Sequence, residues 1–123
     1  MSLTKSEEQI MKHLWKLERA FMKDLVEEFP DPKPAYTTIA TILTRMIEKK
    51  YVGFVQQGKV REYYPILNRT EYFKNHVNAI ISVFFNDSVS QFASFFTSNA
   101  DLTIEQLQEL RTLIDAEINQ KET

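Results

Sequence analysis

The sequence contains no cysteine, and this absence removes several chemistries at once. A chain without thiols forms no disulfide, holds no thiolate-bound metal, and has neither a cysteine nucleophile nor a thiol redox sensor. Glycine is almost as scarce, because Gly53 and Gly58 are the only two, so no glycine-rich phosphate loop can be built. The two histidines, His13 and His76, lie far apart in sequence. We therefore expect no enzyme, no catalytic residue, no metal site and no cofactor.

Long apolar runs are also missing. No segment approaches the roughly 20 apolar residues that span a bilayer, so we expect no membrane insertion. The first residues, 1–5, lack the apolar core of a signal peptide, which makes a cytoplasmic location the expectation. The length of 123 residues and the hydrophobic share of 43% fit one compact unit or two small, interdependent ones.

Basic residues are scarce in the second half of the chain. The formal net charge is only -2, but residues 1–75 carry 13 basic and 10 acidic side chains, whereas residues 76–123 carry 2 basic and 7 acidic. A basic front joined to an acidic back suggests a module that binds a polyanion, attached to a module with another task.

Apolar residues at helical spacing predict six helices. Thr4 and Glu7 have the spacing of a capping box, which marks the start of the first helix. Three prolines within residues 30–34 end the second helix, because proline lacks the amide proton and clashes with the preceding turn. The predicted helices cover residues 5–18, 21–29, 36–50, 69–86, a short stretch from Val89, and 104–120.

Between the third and fourth helices the pattern changes to that of a β-hairpin. Two β-rich runs within residues 51–64 surround the turn at Gln57 and Gly58, and Pro65 marks the end of the second strand. Three helices followed by a hairpin are typical of a winged helix-turn-helix. The sequence therefore predicts a mainly α chain with a small β-hairpin: a winged helix-turn-helix DNA-binding domain over residues 1–68 and a helical dimerisation domain over residues 69–123.

The third predicted helix carries the chemistry that a major-groove helix needs. Its apolar residues fall within an arc of about 140°, and the opposite arc holds threonines and Arg45. Short polar side chains let a helix approach base edges, although threonine is a poor helix former. The hairpin tip adds two cations that could reach phosphates. A solvated face and an ordinary hydrophilic turn are the alternatives. The predicted DNA-binding residues are Tyr36, Thr37, Thr38, Thr41, Thr44, Arg45, Lys59 and Arg61.

The acidic back half is rich in phenylalanine, since residues 84–96 hold five of the nine. Three short helices make too small a core to stand alone, so burial against an identical copy is the economical solution. A twofold dimer also matches a palindromic site with half-sites roughly 34–36 Å apart. The alternative is a helical cap folded on its own front domain. The predicted dimerisation residues are Phe73, Val77, Ile80, Ile81, Phe84, Phe92, Phe96, Leu107, Leu110 and Ile114.

Four segments carry a family resemblance: Leu3–Trp15, Thr38–Lys50, Arg61–Pro65 and Asp101–Leu110. Together they resemble the penicillinase-repressor family of bacterial winged-helix repressors, which includes the β-lactamase and methicillin-resistance regulators. The resemblance implies a homodimeric, sequence-specific repressor of transcription that binds a palindromic operator in double-stranded DNA. A winged-helix protein-interaction adaptor without an operator is the alternative function.

The resemblance also raises the question of how such a repressor is released. Some members are inactivated by proteolysis at an Asn-Phe bond, under control of a membrane sensor protease. The matching place here is Phe95–Phe96, which lacks the asparagine. The resemblance thus implies a proteolysis region at these residues, with a sensor protease or its downstream protease as partner, but not the same cleavage rule. The copper-sensing branch of the family uses cysteines, so the lack of cysteine excludes that mechanism.

Overall fold

The structure, a computed structural model, describes residues 2–123. The predicted fold class is confirmed, because the chain is mainly α-helical with one small antiparallel sheet. The chain forms two compact units, the first ending at His76 and the second spanning Val77–Thr123. The elements in chain order are α1 (Lys5–Leu17), β1 (Ala20–Phe21), α2 (Met22–Glu28), α3 (Tyr36–Glu48), β2 (Val52–Gln57), β3 (Val60–Pro65), α4 (Arg69–Phe84), α5 (Val89–Asn99) and α6 (Ile104–Glu122).

Helix α1 supplies one wall of the core of the first unit. Its capping box is formed, because the Thr4 hydroxyl accepts a hydrogen bond from the Glu7 N–H at 3.2 Å and the Glu7 carboxylate accepts one from the Thr4 N–H at 2.9 Å. One face of α1 is buried at helical spacing. The largest fully buried side chains of the first unit are Ile10, Met11, Leu14, Leu25, Leu43, Met46 and Val52.

Helix α3 ends two residues earlier than the sequence predicts. Lys50 adopts a φ of 66°, in the left-handed region, and this turns the chain out of the helix. The Lys50 N–H donates to the Ile47 carbonyl at 3.0 Å and the Tyr51 N–H donates to the Met46 carbonyl at 2.9 Å. This pair of bonds is a Schellman motif, which satisfies carbonyls that the helix end would otherwise leave unpaired.

The sheet has three strands in the order β1-β3-β2, all antiparallel, and the sequence predicted only the hairpin of β2 and β3. Strand β1 pairs Ala20 with Tyr63 and Phe21 with Glu62. Two residues are too few to show an alternating pattern, which is why the sequence showed only a break there. The extra strand fixes the hairpin to the chain that leads into α2.

The local geometry explains why glycine occupies both positions 53 and 58 of the hairpin. Gly58 lies in the two-residue turn with a φ of 64°, a backbone conformation that suits glycine. Gly53 faces the ring of Tyr64, and a Cβ at Gly53 would lie 2.6 Å from that ring. A side chain at position 53 would therefore displace Tyr64.

An ion pair joins the start of α1 to the end of α3. The Lys49 ammonium donates to the buried Glu7 carboxylate at 2.8 Å and lies 5.8 Å from the centroid of the Tyr51 ring. Burial raises the pKa of Glu7, but hydrogen bonds from Lys49 and Thr4 outweigh burial and hold that pKa below its ordinary value. Lys49 thus has a role in the fold, and it is not one of the predicted DNA-binding residues.

Replacing Lys49 by methionine should lower the free energy of unfolding by about 1–3 kcal/mol at neutral pH, because it leaves the Glu7 carboxylate buried without its cation. Glu7 has a lowered pKa in the folded state, so its contribution is present above its ordinary pKa of 4.5 and is lost as the pH falls through the folded value. Urea denaturation of the variant and the parent, at neutral pH and in acid, measures this difference. Lys50→Met is the matched control, and an equal loss in both variants would contradict the assignment.

The second unit consists of the end of α4 with α5 and α6. The Ser88 hydroxyl caps α5 by accepting from the Gln91 N–H at 3.1 Å, and the Thr103–Gln106 capping box starts α6. Helix α4 begins in the first unit and ends in the second. The proposed domain boundary after residue 68 remains a prediction.

Phenylalanine rings cluster where α4 turns into α5. The Phe85 ring lies 5.6 Å from that of Phe92 and 5.5 Å from that of Phe95, and the Phe92 ring stacks on Phe96 at 6.2 Å. Even so, no residue from 77 to 123 is buried in the single chain. The second unit therefore holds a small aromatic cluster without a buried core.

Candidate nucleic-acid interface

Helix α3 has one buried side and one exposed side. Ile39, Leu43 and Met46 are at most 2% exposed and pack into the core of the first unit. The opposite side is exposed and polar, and its residues are not covered by other parts of the first unit. The exposed residues of α3 that the sequence predicts as DNA-binding are Tyr36, Thr37, Thr38, Thr41, Thr44 and Arg45.

Two of these threonines bond to their own helix. The Thr41 hydroxyl donates to the Thr37 carbonyl at 2.9 Å, and the Thr44 hydroxyl donates to the Ala40 carbonyl at 2.9 Å. Back-bonding of this kind lets an exposed threonine sit in a helix with its proton satisfied. The oxygen lone pairs and the methyl groups remain available, so these side chains can accept from base amino groups and contact a thymine methyl.

The cations near α3 fall into two groups. The Lys33 ammonium donates to the carbonyls of Glu27 and Phe29 at 3.1 and 2.8 Å, so it closes the end of α2, and Lys49 is paired with Glu7. Arg45 and Lys59 are exposed, and neither forms an ion pair within the described part of the chain. Arg45 and Lys59, exposed and unpaired within the described residues, thus lie on the helix and the hairpin that the sequence indicated.

The wing is the hairpin of β2 and β3. Its last paired residues are Gln57 and Val60, so Lys59 lies in the turn itself. The guanidinium of Arg61 lies 4.0 Å from the centroid of the Phe54 ring, an aromatic contact that holds it against the strand. Arg61 is exposed, so its remaining donors face solvent.

The histidines are held by aromatic neighbours. His13 packs edge-on against Phe29 with ring centroids 4.7 Å apart, and burial lowers its pKa, which favours the neutral form. His76 stacks on Tyr72 at 5.9 Å. Residues 2–123 contain no cluster of three His, Cys, Asp or Glu side chains placed to hold a metal ion.

The chain is similar in sequence to known proteins over most of its length. A sequence model of the penicillinase repressor family matches residues 3–116, which is nearly the whole chain. The chain belongs to the penicillinase repressor family. The expectation from sequence is thereby confirmed at the level of the family.

Two relatives illustrate the degree of similarity. The penicillinase repressor of Bacillus licheniformis is 23% identical over 120 residues, covering 97% of this chain and 94% of that protein. The methicillin resistance regulatory protein MecI of Staphylococcus aureus (strain N315) is 24% identical over 118 residues, covering 92% and 93%. The solved CopR repressor structure is 20% identical, covers 55% of this chain and all of that one, and superimposes with a TM-score of 0.46, a similarity too low to add to the assignment.

The penicillinase repressor family consists of DNA-binding transcriptional repressors rather than enzymes, so this chain is assigned to that class. No helix within residues 2–123 combines the length and the apolar character that crossing a bilayer requires.

Proposed function

We propose that the chain is a homodimeric, sequence-specific repressor that inserts α3 into the major groove of a palindromic operator and so blocks transcription. The observation that supports this most strongly is the division of α3, whose apolar side is buried while its threonine side stays open. A DNA-recognition helix needs one side packed firmly on the protein core and short polar side chains on the other. Such a repressor acts in the cytoplasm, where bacterial DNA lies.

The proposed contacts divide by chemistry. Thr37, Thr38, Thr41 and Thr44 read base edges through hydroxyl lone pairs and methyl groups. Arg45 binds a guanine edge or a phosphate, since it is exposed and forms no ion pair within residues 2–123.

The wing completes the proposed contact surface. Lys59 and Arg61 reach the phosphate backbone on the flank of the site, where they position the protein without reading sequence. Tyr36 is 52% exposed at the first turn of α3, where its hydroxyl can bind a further phosphate.

Dimerisation follows from the state of the second unit. Because no residue of 77–123 is more than partly buried in the single chain, this segment lacks the core that would keep three helices folded. Large apolar side chains are exposed there, among them Phe84 at 74% and Ile114 at 58%. In the proposed dimer, the apolar face of one copy packs against the same face of a second copy. This arrangement has twofold symmetry and suits a palindromic site. The proposed interface residues are Val77, Ile80, Ile81, Phe84, Phe92, Phe96, Leu107, Leu110 and Ile114.

Phe73 was predicted with this group, but we do not extend the interface to it. Its ring lies in the first unit, 5.7 Å from the Trp15 ring and 5.8 Å from the Tyr72 ring. Phe73 thus packs within the first unit, whereas the other predicted interface residues belong to the second.

Release of the operator by proteolysis at Phe95–Phe96 requires an additional step. Both residues are exposed, at 55% and 40%, but they lie inside helix α5. Proteases cut extended, locally unfolded chain, so cleavage depends on prior opening of α5. A sensor protease, or a protease that it activates, would act as the partner here.

Selection of bound duplexes from a random pool tests the proposal. A repressor enriches a two-half-site sequence whose affinity falls steeply with salt, because phosphate contacts release counterions. An adaptor without an operator enriches nothing, and that result would refute the proposed function.

Replacing Lys59 by glutamine should weaken binding about equally for all duplexes and lower the salt slope by about one charge per half-site, because the wing contacts phosphates only. Fluorescence anisotropy over a series of salt concentrations measures this effect. Lys121→Gln, at the end of α6, is the control and should leave both quantities unchanged. A change in sequence preference without a change in slope would argue against a phosphate contact.

A further inference from the structure

A cavity of 710 Å³ lies between the outward face of α1 and the first turns of α4. All of its lining residues belong to the first unit. It is separate from the proposed DNA-contact residues of α3 and the wing, none of which line it. Its volume falls within the range of roughly 300–1,000 Å³ that is usual for sites of small organic ligands.

The floor of the cavity is aromatic and apolar. Trp15, Tyr72 and Phe73 form it, and the Trp15 ring lies 6.0 Å from that of Tyr72 and 5.7 Å from that of Phe73. The polar atoms of these rings are already engaged, because the Trp15 indole N–H donates to the Leu67 carbonyl at 2.8 Å and the Tyr72 hydroxyl accepts from the Leu3 N–H at 3.4 Å. Tyr72 is only 8% exposed, so the half-buried Trp15 ring and the 43% exposed Phe73 ring offer most of the surface that suits an apolar body.

The rim of the cavity is cationic. Four basic side chains line it against the single carboxylate of Glu8. Lys16 is paired with Glu28 at 3.1 Å, which leaves Lys5, Lys12 and Arg69 facing the cavity, none of them in an ion pair within residues 2–123.

Arg69 has the most defined position of these cations. Its guanidinium lies over the Phe73 ring, 5.1 Å from the ring centroid. A planar guanidinium held in this way can donate two parallel hydrogen bonds to a carboxylate. The rim thus complements an anionic group attached to whatever occupies the floor.

We propose that this cavity binds a small amphipathic organic acid, with its apolar body on the rings of Trp15, Tyr72 and Phe73 and its carboxylate on Arg69 and Lys12. An aromatic floor without cations would bind neutral compounds equally well, and cations without the floor would bind any anion. The two features together favour molecules that have both an apolar body and a carboxylate. The site does not depend on the proposed DNA contacts of α3, so it stands or falls separately from them.

Trp15 makes the proposal directly testable, because it is the only tryptophan of the chain and it lines the cavity. Phenylbutyrate is the probe, titrated into the full-length protein while the fluorescence of Trp15 is recorded. We expect a saturable change, and about tenfold weaker binding of the neutral phenylbutanamide, because the amide loses the charge-assisted hydrogen bonds.

Arg69→Gln should weaken phenylbutyrate binding by about tenfold and leave amide binding unchanged, since glutamine keeps a polar side chain but removes the charge. Arg111→Gln, on α6, is the matched control and should bind like the parent. Circular dichroism checks the fold, and the comparison of acid and amide on the parent protein does not depend on any variant.

Three results would overturn the proposal. The first is the absence of a saturable signal, and the second is equal affinity for acid and amide. The third is a signal that appears only when the chain is made monomeric, which would assign the cavity to a segment of the second copy.

Discussion

Replacing Ile114 by aspartate should convert the dimer into a monomer and reduce affinity for a two-half-site operator on the order of 100-fold or more. Ile114 is 58% exposed in the single chain and lies on the proposed interface of α6. A twofold interface carries each substitution twice, so two carboxylates would be buried without partners. A monomer then binds each half-site alone and loses the gain from joint binding.

Sedimentation velocity measures the mass, and anisotropy with the selected duplex measures the affinity. Ile66→Asp is a matched control, because Ile66 is 53% exposed and lies in the first unit. That control should remain dimeric and bind normally. An Ile114→Asp protein that sediments as a dimer, or a parent that sediments as a monomer, would refute the proposed interface.

Removing the side chain of Arg45 should cost about 1–3 kcal/mol of binding free energy per half-site, or roughly 5- to 150-fold in affinity, if the guanidinium contacts a guanine edge. The same loss should appear as a relaxed preference at one base pair of each half-site. Because Arg45 is exposed and its helix is anchored by Ile39, Leu43 and Met46, Arg45→Ala should leave the stability almost unchanged.

Anisotropy with a panel of duplexes, each changed at one base pair, measures both effects. Arg111→Ala removes the same side chain from an exposed helical position in the second unit and serves as the control. Full affinity in Arg45→Ala would exclude a base or phosphate contact. A loss that is uniform over all duplexes would assign Arg45 to a phosphate instead.

Local sequence signals predicted much of the fold because they depend on neighbouring residues. The capping box at Thr4 marks the start of α1, and the prolines after Phe29 mark the end of α2. The buried arc of α3 follows from the 3.6-residue period alone.

Features that depend on distant partners could not be predicted. Strand β1 exists because Ala20 pairs with Tyr63, far along the chain, and two residues show no periodicity. Nothing near Lys49 in the sequence indicates an ion-pair partner. In the structure Lys49 is paired with Glu7, which lies 42 positions earlier. The floor of the cavity likewise arises when Trp15 meets α4, which no spacing in the sequence reveals.

The absence of cysteine allows the most direct test of the central claim, that the threonine side of α3 faces the bases. Thr41→Cys gives a single labelling site, to which an iron chelate that cleaves DNA can be attached. Gln120→Cys, near the end of α6, gives the matched control with the same reagent. We predict cleavage from position 41 within each half-site, facing the major groove, and little or none from position 120. Cleavage from position 41 that is absent, or no stronger than from position 120, would contradict it.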